Sequence, residues 1–242
     1  MDAAPVNDTT AKSEAMLRRP VAWPREGRPV QLALGERQVV LERRFGGVLL
    51  VSHDGAQVTE RVLGLPQGGG HLELEARPPD HPLELELTTD ILLLGGGRVR
   101  GYLPLPVHWH LMFHGLDGSV RLQSFAPPGL RLLWRDGGER GGYALRCSAP
   151  LVARPGGPVG DASLCWLPVR IQNRGFSALR PPRLELRVVP EELWVARGRI
   201  LARPRRFVLG VDGSCTQQVV AAPRRRHRAP VRPGLVVEEP QR

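Results

Sequence analysis

The sequence predicts an all-β protein built as an antiparallel β-sandwich, or as two joined β-sandwich modules, with at most one short helix. Three observations predict this fold class: four Asp-Gly dipeptides between apolar runs, segments that alternate leucine with charged residues, and frequent glycine and proline. Glycine (28 residues) and proline (24 residues) are spread along the 242-residue chain, which favours short elements joined by many turns.

The Asp-Gly dipeptides predict four β-hairpins, because this pair accepts the positive φ angles of a tight turn. Each is flanked by apolar and β-branched runs, such as Val48–Val51 before the first turn and Gln57–Val62 after it. The four turns are predicted at Asp54-Gly55, Asp117-Gly118, Asp136-Gly137 and Asp212-Gly213.

Alternating segments between these hairpins predict further strands. Leu72–Glu75, Leu83–Leu87 and Leu184–Val188 place a charged residue at every second position. Such alternation is typical of an antiparallel strand with one face on the core and one face in water. Pro190–Trp194 is the single short helix that we predict, since proline suits the first turn and acidic residues suit the positive end of the helix dipole.

The folded part is predicted to cover residues 21–222, between two disordered tails. Residues 1–20 are polar and aperiodic, and residues 223–242 form a basic tail rich in proline and arginine. Arg77-Pro78-Pro79 and Arg180-Pro181-Pro182 each precede an alternating run, an internal echo that allows two sub-modules, 21–116 and 117–222.

The net charge of +10 comes almost entirely from arginine, because Lys12 is the only lysine. A coding sequence rich in G and C gives the same bias, so charge alone is a weak indication of a polyanionic partner. Along single strands, Arg98 and Arg100 share a face with Tyr102, and no purely cationic stripe results. Aromatic residues are only 5% of the chain, so we do not expect a nucleic-acid partner.

The cysteines and the N-terminal sequence predict a cytoplasmic protein. Cys147, Cys165 and Cys215 are far apart and form no Cys-x-x-Cys pair, which favours reduced thiols over disulfides or a zinc knuckle. The first residues contain no apolar segment of a secretion signal. No apolar run approaches the roughly 18 residues of a membrane-spanning helix, so we expect no transmembrane segment.

His108 and His110 are the candidate metal ligands. They point to one face of a predicted strand and lie about 6.6 Å apart at Cα, a spacing that lets two imidazoles share a transition metal such as zinc. His114 lies roughly 13 Å from His110 along the same strand, too far to join the pair. A third ligand has to come from another strand, with His71, His53 and His81 as the possible donors. The alternative is that these histidines line a solvent-facing or interface surface.

Other catalytic and cofactor motifs are absent from the sequence. The triplets Gly68–Gly70 and Gly95–Gly97 lack the lysine of a phosphate-binding loop and are expected to be loops. No Gly-x-Ser-x-Gly elbow is present. The pairs Glu73/Glu75 and Glu84/Glu86 alternate with leucine and are expected to line wet strand faces. We therefore name no catalytic residue and no cofactor-binding residue.

Three blocks occur in the order Arg98–Pro106, Tyr143–Leu151 and Leu193–Val211. Their succession of strands and prolines, over about residues 21–221, resembles a family known mainly from archaea and labelled only as a domain of unknown function, numbered four-three-two. The resemblance implies a cytosolic, β-rich protein of unassigned function and brings no catalytic residues with it.

Two functions follow from the sequence. The first is a non-enzymatic binding or assembly module that contacts a protein partner, either a second copy or another protein, through a sheet face or edge. The second is a metal-binding β-protein or metal-dependent enzyme centred on His108 and His110.

Overall fold

The computed structural model describes residues 17–34, 37–44, 47–54, 56–64, 69–127, 130–135, 142–156, 164–212 and 214–220. Within these ranges the protein is all-β and has no helix of seven residues or more, which confirms the predicted class. A 3₁₀ turn at Pro190–Glu192 stands where the sequence predicts the short helix, and a strand begins directly after it at Leu193.

The strands of the described residues are numbered in chain order: β1 Arg18–Val21, β2 Val30–Leu34, β3 Arg37–Arg44, β4 Gly47–Asp54, β5 Gln57–Leu63, β6 Gly70–Arg77, β7 Leu83–Leu87, β8 Arg98–Pro106, β9 His108–Gly115, β10 Gly118–Phe125, β11 Arg131–Arg135, β12 Gly142–Ala149, β13 Leu164–Asn173, β14 Leu184–Leu186, β15 Leu193–Ala196, β16 Arg199–Ala202, β17 Arg205–Leu209 and β18 Cys215–Val219.

These strands form four sheets, which we name for their content. The meander sheet is β2-β3-β4-β5, and the histidine sheet is β1-β6-β9-β10. The small mixed sheet is β11-β12-β7-β14. The arginine sheet is β15-β16-β13-β17-β18, with β8 also paired to β13.

Most strand pairs are antiparallel, as predicted, but three are parallel. These are β7–β12, β13–β16 and β13–β17. Parallel neighbours need a long crossover between the two strands, and the alternation of side chains along one strand carries no information about its direction. The expectation of purely antiparallel sheets is therefore wrong at these three pairs.

All four predicted hairpins are antiparallel strand pairs: β4–β5, β9–β10, β11–β12 and β17–β18. At the second hairpin, Gly115 pairs with Gly118, so the loop residues are Leu116 and Asp117. Gly118 has φ of 123°, a conformation that glycine adopts without strain. Gly55, residues 136–141 and Gly213 of the other turns lie outside the described residues.

Two features of the structure bear on the predicted domain boundaries. Strand β1 pairs with β6 from Arg18 onward, inside the region that we expected to be a tail. Most of both predicted tails, residues 1–16 and 221–242, lies outside the described residues. The small mixed and arginine sheets each combine strands from both sides of residue 116, and the β9–β10 hairpin crosses it.

Among the described residues, one apolar core joins the four sheets. Each sheet contributes fully buried side chains to it, for example Leu41, Leu111, Leu85 and Ile171. The leucines of the alternating segments point into this core, so their charged neighbours fall on the outer faces. Clusters of histidine, glutamate and arginine side chains lie on the outer faces of the histidine and arginine sheets.

Candidate metal centre on the histidine sheet

The outer face of the histidine sheet is built by the register between β6 and β9. His71 pairs with His114, Glu73 with Met112, and Glu75 with His110. Because side chains alternate between the two faces of a strand, all of these residues point away from the core. Their neighbours in sequence, among them Leu72 and Phe113, are buried on the inner face.

His108 and His110 lie on this face but are covered. Only 8% of His108 and 5% of His110 is exposed, so of the two surfaces expected for them, solvent-facing or interface, the solvent-facing one is wrong and the interface one stays a prediction. Burial, and then the charge of neighbouring His110, lowers the pKa of His108 to about 4, against the attraction of Asp80. Burial also lowers the pKa of His110, with Arg121 acting in the same direction. Both imidazoles are therefore neutral at pH 7.

Among the described residues, no third ligand lies close to this pair. The Nε2 atoms of His108 and His110 are buried and have no hydrogen-bond partner. Within the described part of the chain, no group of three closely spaced histidine, cysteine or carboxylate ligands includes either residue. The possible third donor His71 lies opposite His114, at the far end of the face.

A three-ligand group does form at that end, from His71, Glu73 and His114. One ligand atom of each residue lies within 4.8 Å of the others. The rings of His71 and His114 stack with centroids 4.9 Å apart and planes inclined by 17°. His71 and Glu73 are two residues apart on β6 and His114 is the cross-strand partner of His71, an arrangement that directs three side chains toward one point.

His114 is held in place from its other side. Its Nδ1 lies 2.6 Å from the hydroxyl oxygen of Ser119, which is its partner on β10. Its Nε2 lies 3.1 Å from Oε2 of Glu73, but the two atoms are not aligned as a hydrogen bond. When Nδ1–H donates to Ser119, the lone pair of Nε2 faces the carboxylate across a gap that a cation can fill.

Two glycines allow the ring of Phe113 to pack beneath this end of the sheet. Gly70 and Gly115 pair across β6 and β9, directly beside His71 and His114. A Cβ at Gly70 would lie 2.5 Å from the ring of Phe113, and one at Gly115 would lie 2.8 Å from it. The ring therefore packs beneath the pair only because both residues lack side chains. Gly70, expected in a loop, is the first residue of β6.

The cysteines offer no alternative centre. Cys147, Cys165 and Cys215 are free thiols. Burial raises the pKa of Cys147 to about 11 and raises the pKa values of Cys165 and Cys215. Because the thiolate is the form that binds metal, these thiols are poor ligands at neutral pH.

Comparison with family models, curated proteins and solved structures gave no match for this chain, so the resemblance to family four-three-two stays a prediction. Among the described residues, no helix is both long and apolar enough to cross a membrane.

Sequence reasoning selected this face but named a different pair of histidines on it, His108 and His110. It named His71 and His114 but did not predict that they lie side by side. It interpreted Glu73 as part of a strand face exposed to water. The missing information was the register of β6 on β9, which places His71 opposite His114. The motif His71-x-Glu73 is the only signal in the sequence, because it directs two metal-binding side chains to one face.

Proposed function

We propose that this chain is a metal-binding β-protein in which His71, Glu73 and His114 hold a divalent transition metal such as zinc. One observation carries the proposal: three donors of the types that zinc prefers lie within 4.8 Å of one another. Donor atoms of a tetrahedral zinc site with bonds of about 2.1 Å lie roughly 3.4 Å apart. Side-chain rotation closes such a difference, and the exposed His71 has room to rotate.

Three protein ligands leave a fourth coordination position for water. Catalytic zinc sites have this number of ligands, whereas closed structural sites have four. The exposure of His71 opens the position to solvent and to small ligands. The proposal concerns metal binding, and a metal-dependent reaction is an extension of it.

Equilibrium dialysis of the full chain against zinc, without a histidine tag and with elemental analysis, tests this proposal. We expect about one equivalent of zinc in the wild type. His114→Ala and Glu73→Ala should lose it, while His53→Ala, on the meander sheet, should retain it. Wild-type protein without stoichiometric zinc would contradict the proposal.

A double variant separates the proposed centre from the pair named by sequence. His108→Gln with His110→Gln should leave zinc affinity unchanged, because neither residue belongs to the three-ligand group. If the double variant loses zinc and His114→Ala retains it, then the metal is bound by His108 and His110 instead. Ser119→Ala should weaken zinc binding about tenfold, since a partner that fixes a ligand imidazole typically contributes roughly 10- to 100-fold.

Protein binding at the edge of the small mixed sheet is the second candidate function. Strand β11 is the edge of that sheet, and its Leu132 and Trp134 are more than half exposed. Tyr143 of β12 packs edge-on against Trp134, with ring centroids 5.1 Å apart. An exposed apolar edge suits an added strand of a partner, and the exposed Arg131 favours an acidic one.

A labelled peptide of alternating valine and glutamate tests this second candidate by fluorescence anisotropy. We expect saturable binding that Leu132→Ser with Trp134→Ser weakens. Leu92→Ser with Leu116→Ser is the matched control, since both leucines are exposed but lie outside any strand edge. Absence of saturable binding, or equal weakening by the control pair, would overturn it.

We further propose that sheets of this protein pack face to face as a β-sandwich. The shared core supports this arrangement, because buried leucines of all four sheets belong to one cluster. Stacked sheets lie about 10 Å apart. An experimental structure in which no two sheets face each other at that spacing would contradict it.

A further inference from the structure

A row of arginines crosses the outer face of the arginine sheet. Arg170 on β13 pairs with Arg100 on β8 and with Arg206 on β17. Neighbouring strands lie about 4.8 Å apart, so the three side chains leave the sheet side by side. Arg98 stands one pleat further along β8, opposite Gln172.

These four arginines have no acidic partner in the described part of the chain. No acidic side chain there forms an ion pair with any of them, and Arg206 donates instead to the amide oxygen of Gln172 at 2.6 Å. The Nε atoms of Arg170 and Arg206 are buried without a hydrogen-bond partner. Partial desolvation, and then the charges of Arg100, Arg98 and Arg206, lower the pKa of Arg170. The row is thus a concentration of positive charge that the described residues do not neutralise.

Exposed apolar side chains project from the loops at the adjoining end of this sheet. The exposed fraction is 57% for Leu92, 66% for Leu94, 99% for Phe176 and 73% for Val211. The loops that carry them contact one another. The amide of Gly96 donates to the carbonyl of Gly175 at 3.2 Å, and an ideal Cβ on Gly175 would lie 3.6 Å from the side chain of Val211. We call Leu92, Leu94, Phe176 and Val211 the apolar tip.

Asn173 fixes the shape of the apolar tip. It is fully buried, and its Nδ2 donates to the carbonyls of Leu93 at 2.9 Å, Leu94 at 3.2 Å and Ser177 at 2.7 Å. The amide of Gly175 donates to its Oδ1 at 2.8 Å. One buried amide therefore ties both loops together, which holds Leu94 and Phe176 outward at fixed positions.

The arginine row and the apolar tip are continuous. Arg98 directly follows the loop of Leu94, and β13 ends at Asn173, directly before the loop of Phe176. The row through Arg170 lies one pleat further in, about 7 Å from the last paired residues of these strands. Apolar side chains in front of a band of cations match the layering of a bilayer surface, where headgroups lie above acyl chains.

We propose that this end of the arginine sheet docks on an anionic lipid bilayer, with the apolar tip entering the headgroup region and Arg98, Arg100, Arg170 and Arg206 binding lipid phosphates. A nucleic acid fits the face less well, since Tyr102, which shares the face of Arg98 and Arg100, is only partly exposed, and Phe176 is the one aromatic residue of the tip. Anionic lipids are concentrated in the cytoplasmic leaflet, so the proposal uses the cytoplasmic location predicted from sequence.

Sedimentation of the full chain with vesicles tests this docking. The vesicles are pure phosphatidylcholine, or phosphatidylcholine with roughly a third phosphatidylserine, which gives the negative surface potential required. EDTA is present, so the result does not depend on the metal centre. We expect binding to the anionic vesicles alone, and weaker binding as salt is raised. Equal binding to both vesicles, or to neither, overturns the proposal.

Matched variants separate this face from net charge. Each surface arginine contributes about fivefold to binding at a phosphatidylserine surface, so Arg100→Gln with Arg206→Gln should weaken binding roughly 25-fold. Arg28→Gln with Arg43→Gln removes the same charge from exposed positions outside this sheet and should change the affinity much less. Equal losses in both pairs would mean that only net charge matters and would overturn the docking face.

Insertion of the apolar tip has its own readout. We expect brominated acyl chains to quench the tryptophan fluorescence of the Phe176→Trp variant when it binds vesicles. This quenching should exceed the quenching of the wild-type protein, because the added tryptophan enters the bilayer. The same titration with a DNA duplex of about three helical turns distinguishes the alternative partner. Tight DNA binding that depends on Arg100 and Arg206, together with no added quenching in the Phe176→Trp variant, would replace the bilayer with nucleic acid.

Discussion

The outer faces of the histidine and arginine sheets both carry charged side chains but organise charge in opposite ways. On the histidine sheet, Glu75 lies between Arg18 and Arg77, and Arg121 pairs with Asp80 at 2.8 Å. On the arginine sheet, the row through Arg170 has no acidic partner among the described residues. One face neutralises its charge internally and the other presents it to the outside.

This difference indicates what each face can bind. A neutralised face has little long-range field, so it suits a small ligand such as a metal ion held by a few directed donors. A face of uncompensated arginines attracts extended anionic surfaces, and it does so in a manner that depends on salt. Like charges placed together destabilise the fold slightly, and the proposed binding of anionic lipid would offset this cost.

The largest expected effect concerns the scaffold of the arginine sheet. Asn173→Ala removes four hydrogen bonds of a fully buried side chain. We expect the free energy of unfolding to fall by about 3 kcal/mol, because buried backbone groups lose their partner. Urea denaturation measures this change, and vesicle binding should fall with it while zinc binding persists.

The neighbouring Gln172→Ala is its control, since that side chain lies on the outer face and accepts one hydrogen bond, from Arg206. It should cost less than about 1 kcal/mol. Similar losses in Asn173→Ala and Gln172→Ala would show that the apolar tip does not depend on the buried amide.

A second prediction tests the internal neutrality of the histidine sheet. Glu75 is only 3% exposed and accepts from Nε of Arg77 at 2.8 Å. Glu75→Gln should lower the free energy of unfolding by about 2 kcal/mol, below the usual cost of breaking a buried pair because both arginines partly reach water. Chemical denaturation at pH 7 measures it.

The control for that variant is Glu86→Gln, whose exposed carboxylate lies 3.8 Å from Arg183 and should contribute under about 0.5 kcal/mol. If Glu75→Gln is as mild as Glu86→Gln, then charge balance on the histidine face has no structural role.

Local patterns in the sequence predicted the strands. The register between strands that are distant in sequence determines which side chains meet in the two candidate sites. Leu72 and Leu74 revealed their strand because alternation is a property of one segment. Arg100, Arg170 and Arg206 come from three strands distant in sequence, so their row is invisible along any one of them. The same holds for the three-ligand group, whose assembly depends on how β6 aligns with β9.

Burial was the second quantity that the sequence did not supply. The pattern of β9 placed His108 and His110 correctly on one face, but nothing local showed that this face is covered near Asp80. Strand β1 was missed for a related reason: its four residues show no alternation, and only their pairing with β6 makes them a strand.

A third prediction uses the covered end of the histidine face. The pKa of His108 is lowered to about 4 from an ordinary 6.5, so the unfolded chain takes up a proton at a pH where the folded protein does not. Stability should therefore be unaffected by this residue above pH 6.5 and decrease as pH falls toward 4. His110, whose pKa is also lowered, adds to the effect, and Asp80 opposes it.

Urea denaturation of wild type and His108→Gln between about pH 7 and pH 5 isolates this contribution. We expect the wild type to lose about 1.5 kcal/mol more than the variant over that range, since part of the nominal shift is offset by solvent and by Asp80. Parallel pH profiles of the two proteins would mean that His108 is not buried in its neutral form.

The smallest effect differs in sign between the two faces. Arg121→Gln breaks an exposed pair with Asp80 and should lower the melting temperature by about 1 °C. Arg100→Gln removes one of several mutually repelling charges and should raise the melting temperature by about the same amount. Both shifts should shrink in about 0.5 M salt, where the Debye length is only about 4 Å. Both variants lose one positive charge, so differential scanning calorimetry compares them directly. Shifts of the melting temperature with the same sign would mean that the two faces do not differ in charge balance. Opposite signs would show that the difference comes from the partners that each arginine has.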